Sequence, residues 1–232
     1  MTELSIVIPV YNEELNIEIL YDEIINSIHN IKYEIIFVDD GSTDKSLQNI
    51  KKLINKNHDV KVLKNPKNYG QSKSMYNGIK IASSNNIVTI DSDLQNDPKD
   101  ISKLYEIYKS NNNNCLVSGI RLKRKDDIIK KISSLFANKI RSMYLNDKCS
   151  DTGCSLKVFP KSAFLKFDYF NGMHRFIPAL FVGFGYPVFY ENVNHRHRIH
   201  GNTKYGIFNR IFINIKNMIH VKKIITNKNK GL

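Results

Sequence analysis

A short acidic segment is the part of this sequence with the clearest chemical potential. In TIDSDLQNDP, Thr89–Pro98, the residues Asp91, Asp93, Gln95 and Asp97 occupy alternate positions after an apolar run. In an extended chain, residues two apart point the same way, so these acids would crowd one face and raise one another's pKa. A solvated turn tolerates such a cluster, and so does a site where a divalent cation neutralises it.

The elements that would position this segment alternate between two periodicities. Short apolar runs predict buried strands, and each is followed by residues with helical spacing. The predicted strands are Ser5–Val10, Tyr33–Val38, Val60–Leu63 and Asn86–Ile90, and the predicted helices are Glu13–Ile28, Lys45–Ile54, Gly70–Ala82 and one that opens near Pro98. This rhythm favours an α/β fold, a Rossmann-like mainly parallel sheet flanked by helices.

Polar segments follow each of these four predicted strands. They are PVYNEE, VDDGSTD, KNPKNYGQS and DSDLQNDP. Ligands bind at the carboxyl ends of the strands in such sheets, so the four segments together predict a binding site. No GxGxxG or GxxxxGK[ST] follows a predicted strand, which weakens the case for a dinucleotide or P-loop site.

Position decides between the two interpretations of the acidic segment. A bare Asp-x-Asp pair is more often a solvated turn, but Asp91 and Asp93 follow the fourth predicted strand and there favour a cation site. Gln95 continues the same face and adds a carbonyl oxygen. At the end of the second strand, Asp39 and Asp40 offer one carboxylate for a base or ribose and one to cap the following helix.

The composition limits the classes of function that need considering. With 232 residues, of which 41% are hydrophobic and 25% charged, the chain suits one sizeable globular domain. Its formal net charge of +13 indicates an anionic partner, which leaves nucleic acid, phosphorylated ligands and an anionic membrane surface open. Three cysteines without a CxxC pair argue against a disulfide framework or a zinc site and favour a reducing cytosol.

Membrane insertion is not predicted from the sequence. The start MTELSIVIPVYNEE lacks the basic region and cleavage site of a signal peptide. No uncharged apolar run approaches the roughly 20 residues that a membrane-spanning helix needs. We therefore expect a soluble or peripheral protein.

The second half of the chain is less regular. Its predicted strands are Cys115–Ile120, Gly153–Phe159 and Pro187–Val193, and its predicted helices are Ile128–Leu145, the apolar run His174–Gly185 and a basic amphipathic helix Ile207–Ile225. That last helix either lies in a membrane interface with its cations toward anionic headgroups or packs on the domain with a solvated basic face. One domain with a basic C-terminal appendage is the simplest organisation.

Several motifs together resemble one enzyme family. IPVYNEE, VDDGSTD, NYGQSKSMYNGI and DSDLQNDP are similar to glycosyltransferase family 2, and especially to dolichyl-phosphate mannose synthases and bacterial polyprenyl-phosphate glycosyltransferases. In the second half, SGIRLKRKDD, DTGCSLKVF, HRFIPAL and HRHRIHGNTKYG resemble the acceptor-side motifs of that subfamily. The resemblance runs from about Ser5 to Tyr205 and implies a GT-A type fold and a metal-dependent hexosyltransferase.

The resemblance also implies a donor site across the first four strands. The residues it implies for the nucleotide-sugar are Pro9, Tyr11, Glu13, Asp39, Asp40 and Asp91. The Asp-x-Asp motif with Gln95 would hold Mg²⁺ or Mn²⁺ as a Lewis acid on the leaving nucleoside diphosphate. The metal ligands implied are Asp91, Asp93 and Gln95, and Asp93 is also expected to be catalytic.

The basic residues fit an acceptor that carries a phosphate. A polyprenyl phosphate beside the donor diphosphate needs fixed cations, and arginine suits phosphate through its bidentate fork. The candidates are Arg121, Lys130, Lys131, Arg175, Arg196, Arg198 and Lys204. Among these we favour Arg121, also counted as catalytic, and the pair Arg196 and Arg198, while a solvated helix face explains Lys130 and Lys131 equally well.

The chemistry expected at the acceptor needs little general-base help, because a phosphate oxygen is already ionised near neutral pH. Asp151 matches a family position for a base or an acceptor-orienting acid. A turn before Gly153 or an ion pair to a nearby arginine explains it as well. Interleaved arginines in HRHRIH, residues 195–200, favour phosphate over a metal there, and His174 is explained equally by packing in the core.

These observations define the reaction and the setting that we expect. An inverting enzyme would move a sugar from a UDP- or GDP-sugar to a polyprenyl phosphate for cell-envelope glycan assembly, as a peripheral protein of the shorter type at the inner, cytoplasmic face of the membrane. The catalytic domain would span residues 1–205, with a donor half 1–98 and an acceptor half 99–205, and 206–232 would be a basic tail. A homo-oligomer or a small membrane partner stays open.

Two other functions are weighed against this one. A family 2 enzyme acting on a saccharide hydroxyl is weakened by DSDLQNDP and by the cation-rich HRHRIHGNTKYG loop. A nucleic-acid-binding protein would explain the charge, but it would want aromatic platforms or a recognition helix among the basic residues. Neither is found, so no nucleic-acid partner is expected.

Overall fold

The fold is built on one seven-stranded mixed sheet. The structure, a computed structural model, describes residues 1–56, 59–121, 141–197 and 207–229. The strands are β1 Leu4–Val10, β2 Tyr33–Asp39, β3 Val60–Lys64, β4 Asn86–Thr89, β5 Leu116–Arg121, β6 Lys157–Pro160 and β7 Val188–Val193. Their order across the sheet is β3-β2-β1-β4-β6-β5-β7.

The first four strands form a parallel block, as predicted. β1 lies between β2 and β4, and β3 pairs with β2 at the edge of the sheet. β6 inserts antiparallel between β4 and β5, and β5 and β7 run parallel to each other. The predicted mainly parallel sheet is therefore confirmed, with one reversed strand beside β4.

Helices cover both faces of the sheet. They are α1 Ile17–Ile25, α2 Ser46–Lys56, α3 Gln71–Ile81 and α4 Asp100–Ser110, followed by Lys161–Phe164, Ile177–Gly183 and a C-terminal helix Ile207–Asn229. Residues 141–145 are helical and Met173–Arg175 forms a 3₁₀ turn. Successive side chains of β1 point to opposite faces of the sheet, which explains the two helical layers. Ile6 and Ile8 pack in the core beneath α1, α2 and α4 on one face, and Val7 packs in the core beneath α3 on the other.

Several predicted boundaries shift by a few residues. The strand predicted at Gly153–Phe159 begins only at Lys157, because 151–156 form the turn that reaches β4. The apolar run His174–Gly185 is a 3₁₀ turn followed by a helix rather than one helix. Most of the helix predicted at Ile128–Leu145 lies outside the described residues.

The C-terminal helix packs on the domain and leaves part of its apolar surface exposed. Val221 is buried, and Ile225 contacts the domain at Gly183. Asn217 donates from Nδ2 to the carbonyl of Asn171 at 2.8 Å. Ile215 and Ile219, one turn apart, are 48% and 45% exposed. No helix among the described residues is long and apolar enough to cross a membrane.

Candidate active site at the carboxyl end of the sheet

The acidic segment after β4 is a turn, not an extended strand. Ser92 donates from Oγ to the carbonyl of Pro9 at 2.9 Å, which ties the segment to the end of β1. Leu94 has a φ of 60°, a left-handed conformation that reverses the direction of the chain. The alternate residues 91–97 therefore do not share one face, contrary to the prediction from their spacing.

The reversal at Leu94 divides the four polar side chains into two pairs. Asp91 and Asp93 both line a cavity beside β1. Gln95 instead contacts the backbone of Arg196. Its backbone carbonyl accepts from the Arg196 backbone N–H at 2.8 Å, and its side-chain Nε2 lies 3.5 Å from the Arg196 backbone carbonyl oxygen. Asp97 forms an ion pair with Arg196 at 2.8 Å. A metal contact by Gln95 would require its side chain to turn away from that backbone, and it stays a prediction.

Asp91 and Asp93 together form a site with excess negative charge. Burial and repulsion from Asp93 raise the pKa of Asp91 to about 7. The side chain of Gln71 donates to Asp91 Oδ1 at 2.6 Å, and the Asp91 backbone N–H donates to Ser155 Oγ at 3.1 Å. A divalent cation would relieve the repulsion between the two carboxylates, and hard cations prefer oxygen ligands.

The side chains present suit a site for Mg²⁺ or Mn²⁺ that is completed by water and substrate. They do not suit a metal ion that is coordinated only by protein groups. Within the described part of the chain, no group of three or more histidine, cysteine, aspartate or glutamate side chains could hold a metal ion. Mg²⁺ is commonly bound by one or two carboxylates, with water and substrate phosphates as its other ligands. The Asp91 and Asp93 pair matches that pattern.

The first cavity has a volume of about 160 Å³ and collects most of the predicted donor residues. Its lining includes Pro9, Tyr11, Glu13, Asp40, Asp91 and Asp93. Gly70 and Gln71, where α3 begins, line it too. The start of a helix presents backbone N–H groups and a positive dipole end, so this wall favours an anion.

Asp39 and Asp40, neighbours at the carboxyl end of β2, make different contacts. Asp40 accepts from the backbone N–H groups of Tyr69 and Gly70 at 3.0 and 2.7 Å, which shapes the loop before α3. Asp39 is fully buried; its Oδ1 accepts from the Ser42 backbone N–H at 3.3 Å, while its Oδ2 has no hydrogen-bond partner within the part of the chain that the structure describes. Such an orphaned acceptor is costly unless a ligand or water satisfies it.

The predicted helix cap is a different acid. We expected Asp39 or Asp40 to cap the helix that follows, but Asp44 lies there instead. Its Oδ1 accepts from the backbone N–H of Ser46, the first residue of α2, at 2.9 Å. The prediction was wrong because the helix begins only at Ser46, and Asp39 instead accepts from the Ser42 backbone N–H, well before the helix starts.

A second cavity of about 120 Å³ adjoins the first. The two share Pro9, Gln71 and Asp91 in their linings, so Asp91 stands where they meet. The second cavity extends beneath the turn 152–155 and is also lined by Lys157, His174 and Arg175. Of these three residues, only Arg175 was predicted as a phosphate ligand.

His174 is neutral and serves as an internal contact. Its Nδ1 lies 2.5 Å from Ser72 Oγ, and the same hydroxyl accepts from the Gly172 N–H at 3.0 Å. Burial and the nearby cations Arg175 and Lys157 lower the pKa of His174 to about 3. Gly172 has a φ of 93°, and a side chain there would collide with Asn217 of the C-terminal helix. This contact chain links that helix to the start of α3.

Arg121 and Asp151 form a buried ion pair. Arg121 donates from Nε and Nη2 to the two carboxylate oxygens of Asp151, each at 2.7 Å. The Asp151 carboxylate also accepts from the backbone N–H groups of Arg121 and Gly153. The guanidinium lies against Gly153, where any Cβ would come within 2.6 Å of Arg121 Nη2. Both non-catalytic explanations of Asp151, the turn and the ion pair, are therefore realised.

Arg196, another predicted cation, lines neither of these two cavities. Arg196 pairs with Glu23 at 2.6 Å and with Asp97, so a phosphate at this position would have to displace a carboxylate. The other four predicted phosphate ligands lie outside the described residues: Lys130, Lys131, Arg198 and Lys204.

Three site residues were missed by the sequence analysis. Gln71 follows the third strand within a polar segment, a position that identified the other ligands and would have identified it too. Ser155 Oγ accepts a hydrogen bond from the Asp91 backbone N–H, and nothing in the sequence near either residue predicts this contact. Lys157 lies in an alternating strand, where a lysine is usually solvated.

Comparison with known proteins identifies the family of this chain. The model of glycosyl transferase family 2 matches residues 5–168. The chain belongs to glycosyl transferase family 2. The resemblance stated from its motifs is thereby confirmed.

Two curated relatives illustrate the neighbourhood of this chain within the family. It is 36% identical over 211 residues to the dodecaprenyl-phosphate galacturonate synthase of Rhizobium johnstonii, with 88% of this chain and 62% of the relative covered. It is 31% identical over 213 residues to the undecaprenyl-phosphate 4-deoxy-4-formamido-L-arabinose transferase of Yersinia pestis, with 90% and 64% covered. The chain thus spans slightly less than two thirds of the length of these relatives.

Solved structures share the fold. Glucosyl-3-phosphoglycerate synthase from Mycobacterium tuberculosis, in complex with Mn²⁺, UDP and glucosyl-3-phosphoglycerate, matches with a TM-score of 0.70 at 17% identity, over 97% of this chain and 80% of that one. Its complex with Mg²⁺ and UDP gives 0.70 at 16% identity, over 97% and 79%. The predicted GT-A type fold is confirmed.

Proposed function

We propose that this protein transfers a sugar from a nucleotide-sugar to a polyprenyl phosphate, with Mg²⁺ or Mn²⁺ as cofactor. The observation that carries the proposal is the position of Asp91 and Asp93, a pair with excess negative charge where two cavities meet. The names of the curated relatives, both enzymes of polyprenyl phosphates, support this acceptor. Those relatives differ in their sugar, so the sugar is left open.

The donor's nucleoside diphosphate would occupy the first cavity. The Asp39 carboxylate, whose Oδ2 has no partner among the described residues, lies at the end of β2, one residue from the cavity wall at Asp40, and is suited to accept from a base or a ribose. The start of α3 would face the phosphates. Asp91 and Asp93 would hold a divalent cation, which would supply Lewis-acid neutralisation of the leaving diphosphate; solved fold neighbours contain Mn²⁺ or Mg²⁺.

The acceptor would enter from the second cavity, which Arg175 and Lys157 line, so its phosphate would meet two cations there. The phosphate is already anionic at neutral pH, so no protein base is required. The contacts of Asp151, the predicted candidate base, agree with this, because both of its carboxylate oxygens accept hydrogen bonds from Arg121. A single displacement at the anomeric carbon would invert its configuration.

We further propose that residues 1–205 form the catalytic domain and that the C-terminal helix docks on the inner face of the cytoplasmic membrane. Ile215 and Ile219 are exposed on this helix, and Lys222 lies over the ring of Tyr144 at 5.7 Å, beside the exposed Met143. An apolar patch with cations beside it suits an anionic membrane interface. The contact of Asn217 with Asn171 keeps this patch next to the turn that leads to the second cavity.

The transfer assay tests the proposed reaction. Purified protein with Mn²⁺ and undecaprenyl phosphate in detergent is offered labelled UDP- and GDP-sugars in turn, and label is counted after organic extraction. Label that enters the lipid fraction and is lost with EDTA is the expected result. Label that reaches only a saccharide acceptor would replace this proposal with transfer to a sugar hydroxyl.

Vesicle flotation tests the membrane proposal separately. The double change Ile215→Ser and Ile219→Ser should reduce binding to phosphatidylglycerol-containing vesicles at least about fivefold, because it removes exposed apolar area from the patch. The control, Leu15→Ser with Ile81→Ser, removes similar exposed area on other faces of the protein. Equal binding by the two variants would contradict docking through this helix.

A further inference from the structure

Lys157 is a lysine buried in the middle of the sheet. It begins β6, where it stands opposite Thr89 of β4 and Ser118 of β5. Only 2% of the residue is exposed, yet its side chain lines the second cavity. Lysine almost never occupies such a position unless its charge has a partner.

The polar partner of Lys157 is not a counter-charge. Among the described residues, its ammonium donates to one group, the backbone carbonyl of Cys154. The neighbouring arginines, in contrast, each hold a carboxylate: Arg121 pairs with Asp151 and Arg141 with Asp147. Asp91 also attracts Lys157 through space, but Lys157 forms no ion pair among the described residues. A buried ammonium that hydrogen-bonds only to a carbonyl remains strongly attractive to an anion, because little water screens it.

The wall around Lys157 adds positive charge. Arg175 lines the same cavity. His174, also in this wall, is a neutral imidazole held by Ser72. Asp91 is the one carboxylate that the described residues contribute to this lining, and it faces the first cavity as well. A cation on Asp91 and Asp93 would neutralise that carboxylate and leave the second cavity with an excess of positive charge.

We infer that Lys157 is the base of an oxyanion subsite in the second cavity, which binds a carboxylate or phosphate group of a substrate. The inference rests on the proposed function for the identity of that substrate. Two sources share this chemistry: the carboxylate of an acidic donor sugar and the phosphate of the acceptor. In either case, Lys157 would contribute to substrate affinity rather than hold the fold together.

Titration with inorganic phosphate tests the subsite without any transfer reaction. We would measure the dissociation constant of phosphate, with Mn²⁺ present, for the wild type, Lys157→Met and the control Lys161→Met. Lys161 carries the same charge but donates to the carbonyls of Lys80 and Ala82, away from both cavities. Lys157→Met should weaken phosphate at least about tenfold, and Lys161→Met should not. Equal dissociation constants in all three proteins would overturn the inference.

Thermal unfolding separates a ligand-binding lysine from a structural one. Methionine has a similar length and no charge to desolvate, so Lys157→Met should unfold at the wild-type temperature or above. A lower melting temperature with unchanged phosphate affinity would show that Lys157 only supports the turn at Cys154. If Lys157→Met does not fold, Arg175→Met probes the same cavity, and unchanged phosphate affinity in that variant would count against the subsite.

Michaelis constants then distinguish the two sources. Donors that differ only by a carboxylate, a nucleotide-hexuronic acid and the corresponding nucleotide-hexose, are compared in the transfer assay. If Lys157→Met raises KM for the acidic donor alone, the subsite takes the sugar carboxylate. If it raises KM for the polyprenyl phosphate with every donor, the subsite takes the acceptor phosphate. A wild type without transfer activity would reject the proposed function, while the phosphate titration would still decide the subsite.

Discussion

The two halves of the sheet treat charge in opposite ways. At the carboxyl ends of the parallel strands, Asp39 keeps an orphaned oxygen, and Asp91 and Asp93 repel each other. In the second half, Arg121 and Arg141 are each satisfied by a buried carboxylate. The Asp39 oxygen and the repelling Asp91 and Asp93 carboxylates mark where ligands bind, whereas the ion-paired arginines build the walls. In the second half, Lys157 differs from these arginines because it forms no ion pair among the described residues, which is why we assign it a ligand.

The largest effect that this comparison predicts concerns Asp93. Asp93→Asn should lower transfer by roughly 10²–10³-fold, the range for loss of one group that stabilises charge in a transition state. Initial rates with saturating Mn²⁺, together with circular dichroism, measure the activity and the fold. The exposed Asp168→Asn serves as control. Wild-type rates with unchanged Mn²⁺ dependence in Asp93→Asn would refute the cation site.

Asp151 should matter for stability first. Asp151→Asn leaves the Arg121 charge buried, where the two side chains are 12% and 7% exposed, and should lower the free energy of unfolding by about 3 kcal/mol. Urea denaturation measures this loss. The control Glu191→Gln breaks the surface pair with Lys103 and should cost less than about 1 kcal/mol. Lost transfer at unchanged stability would make Asp151 a catalytic base after all.

Cation affinity should depend on pH near neutrality. Without the cation, Asp91 has a pKa of about 7, so an ion must displace its proton below that pH. Mn²⁺ affinity should therefore rise about tenfold between pH 6 and pH 8 and level off above, with proton release falling in parallel, as calorimetry can measure. A flat profile in the wild type would contradict the charge repulsion at this pair.

Stability of the cation-free protein should follow the opposite trend. The folded pKa of Asp91 lies above its ordinary value of 3.8, so the folded protein holds a proton that the unfolded chain has lost between about pH 4 and pH 7. The contribution of Asp91 to stability is present at low pH and is lost as pH rises through 7. Asp91→Asn should remove this component from the pH profile of the melting temperature.

The smallest effect is expected at Arg196. It is 31% exposed and pairs with Glu23 and Asp97 on the outer surface, so Arg196→Gln should cost less than about 1 kcal/mol. The acceptor KM should change less than about twofold. A tenfold higher KM at unchanged stability would return Arg196 to the phosphate ligands suggested by its motif.

Most of the fold could be predicted because apolar periodicity encodes it locally. The runs that became β1, β2 and β4 are buried on both faces of a parallel block, so each stands out as a largely hydrophobic stretch, whereas β3 lies at the edge of the sheet and contains lysines. The direction of β6 could not be inferred, since its neighbours come from distant parts of the chain. Nothing local distinguishes an antiparallel insertion there.

The candidate site was predictable in its position but not in its pairings. Strand ends located Asp91, Asp93 and the residues of the first cavity. Leu94 adopts a left-handed conformation that its residue type disfavours, so the separation of Gln95 from Asp93 had no signal in the sequence. The burial of Lys157 likewise has no local signal, because only the tertiary fold covers it.

Calorimetry of nucleoside diphosphate binding tests the central claim most directly, namely that the acids at the carboxyl ends of β2 and β4 form a cation-dependent diphosphate site. UDP and GDP are titrated into the wild type and Asp93→Asn, each with and without Mn²⁺. We predict that Mn²⁺ tightens binding of at least one nucleotide by about tenfold or more in the wild type and leaves Asp93→Asn unchanged. Equal affinity for both nucleotides with and without Mn²⁺ in the wild type would contradict the account.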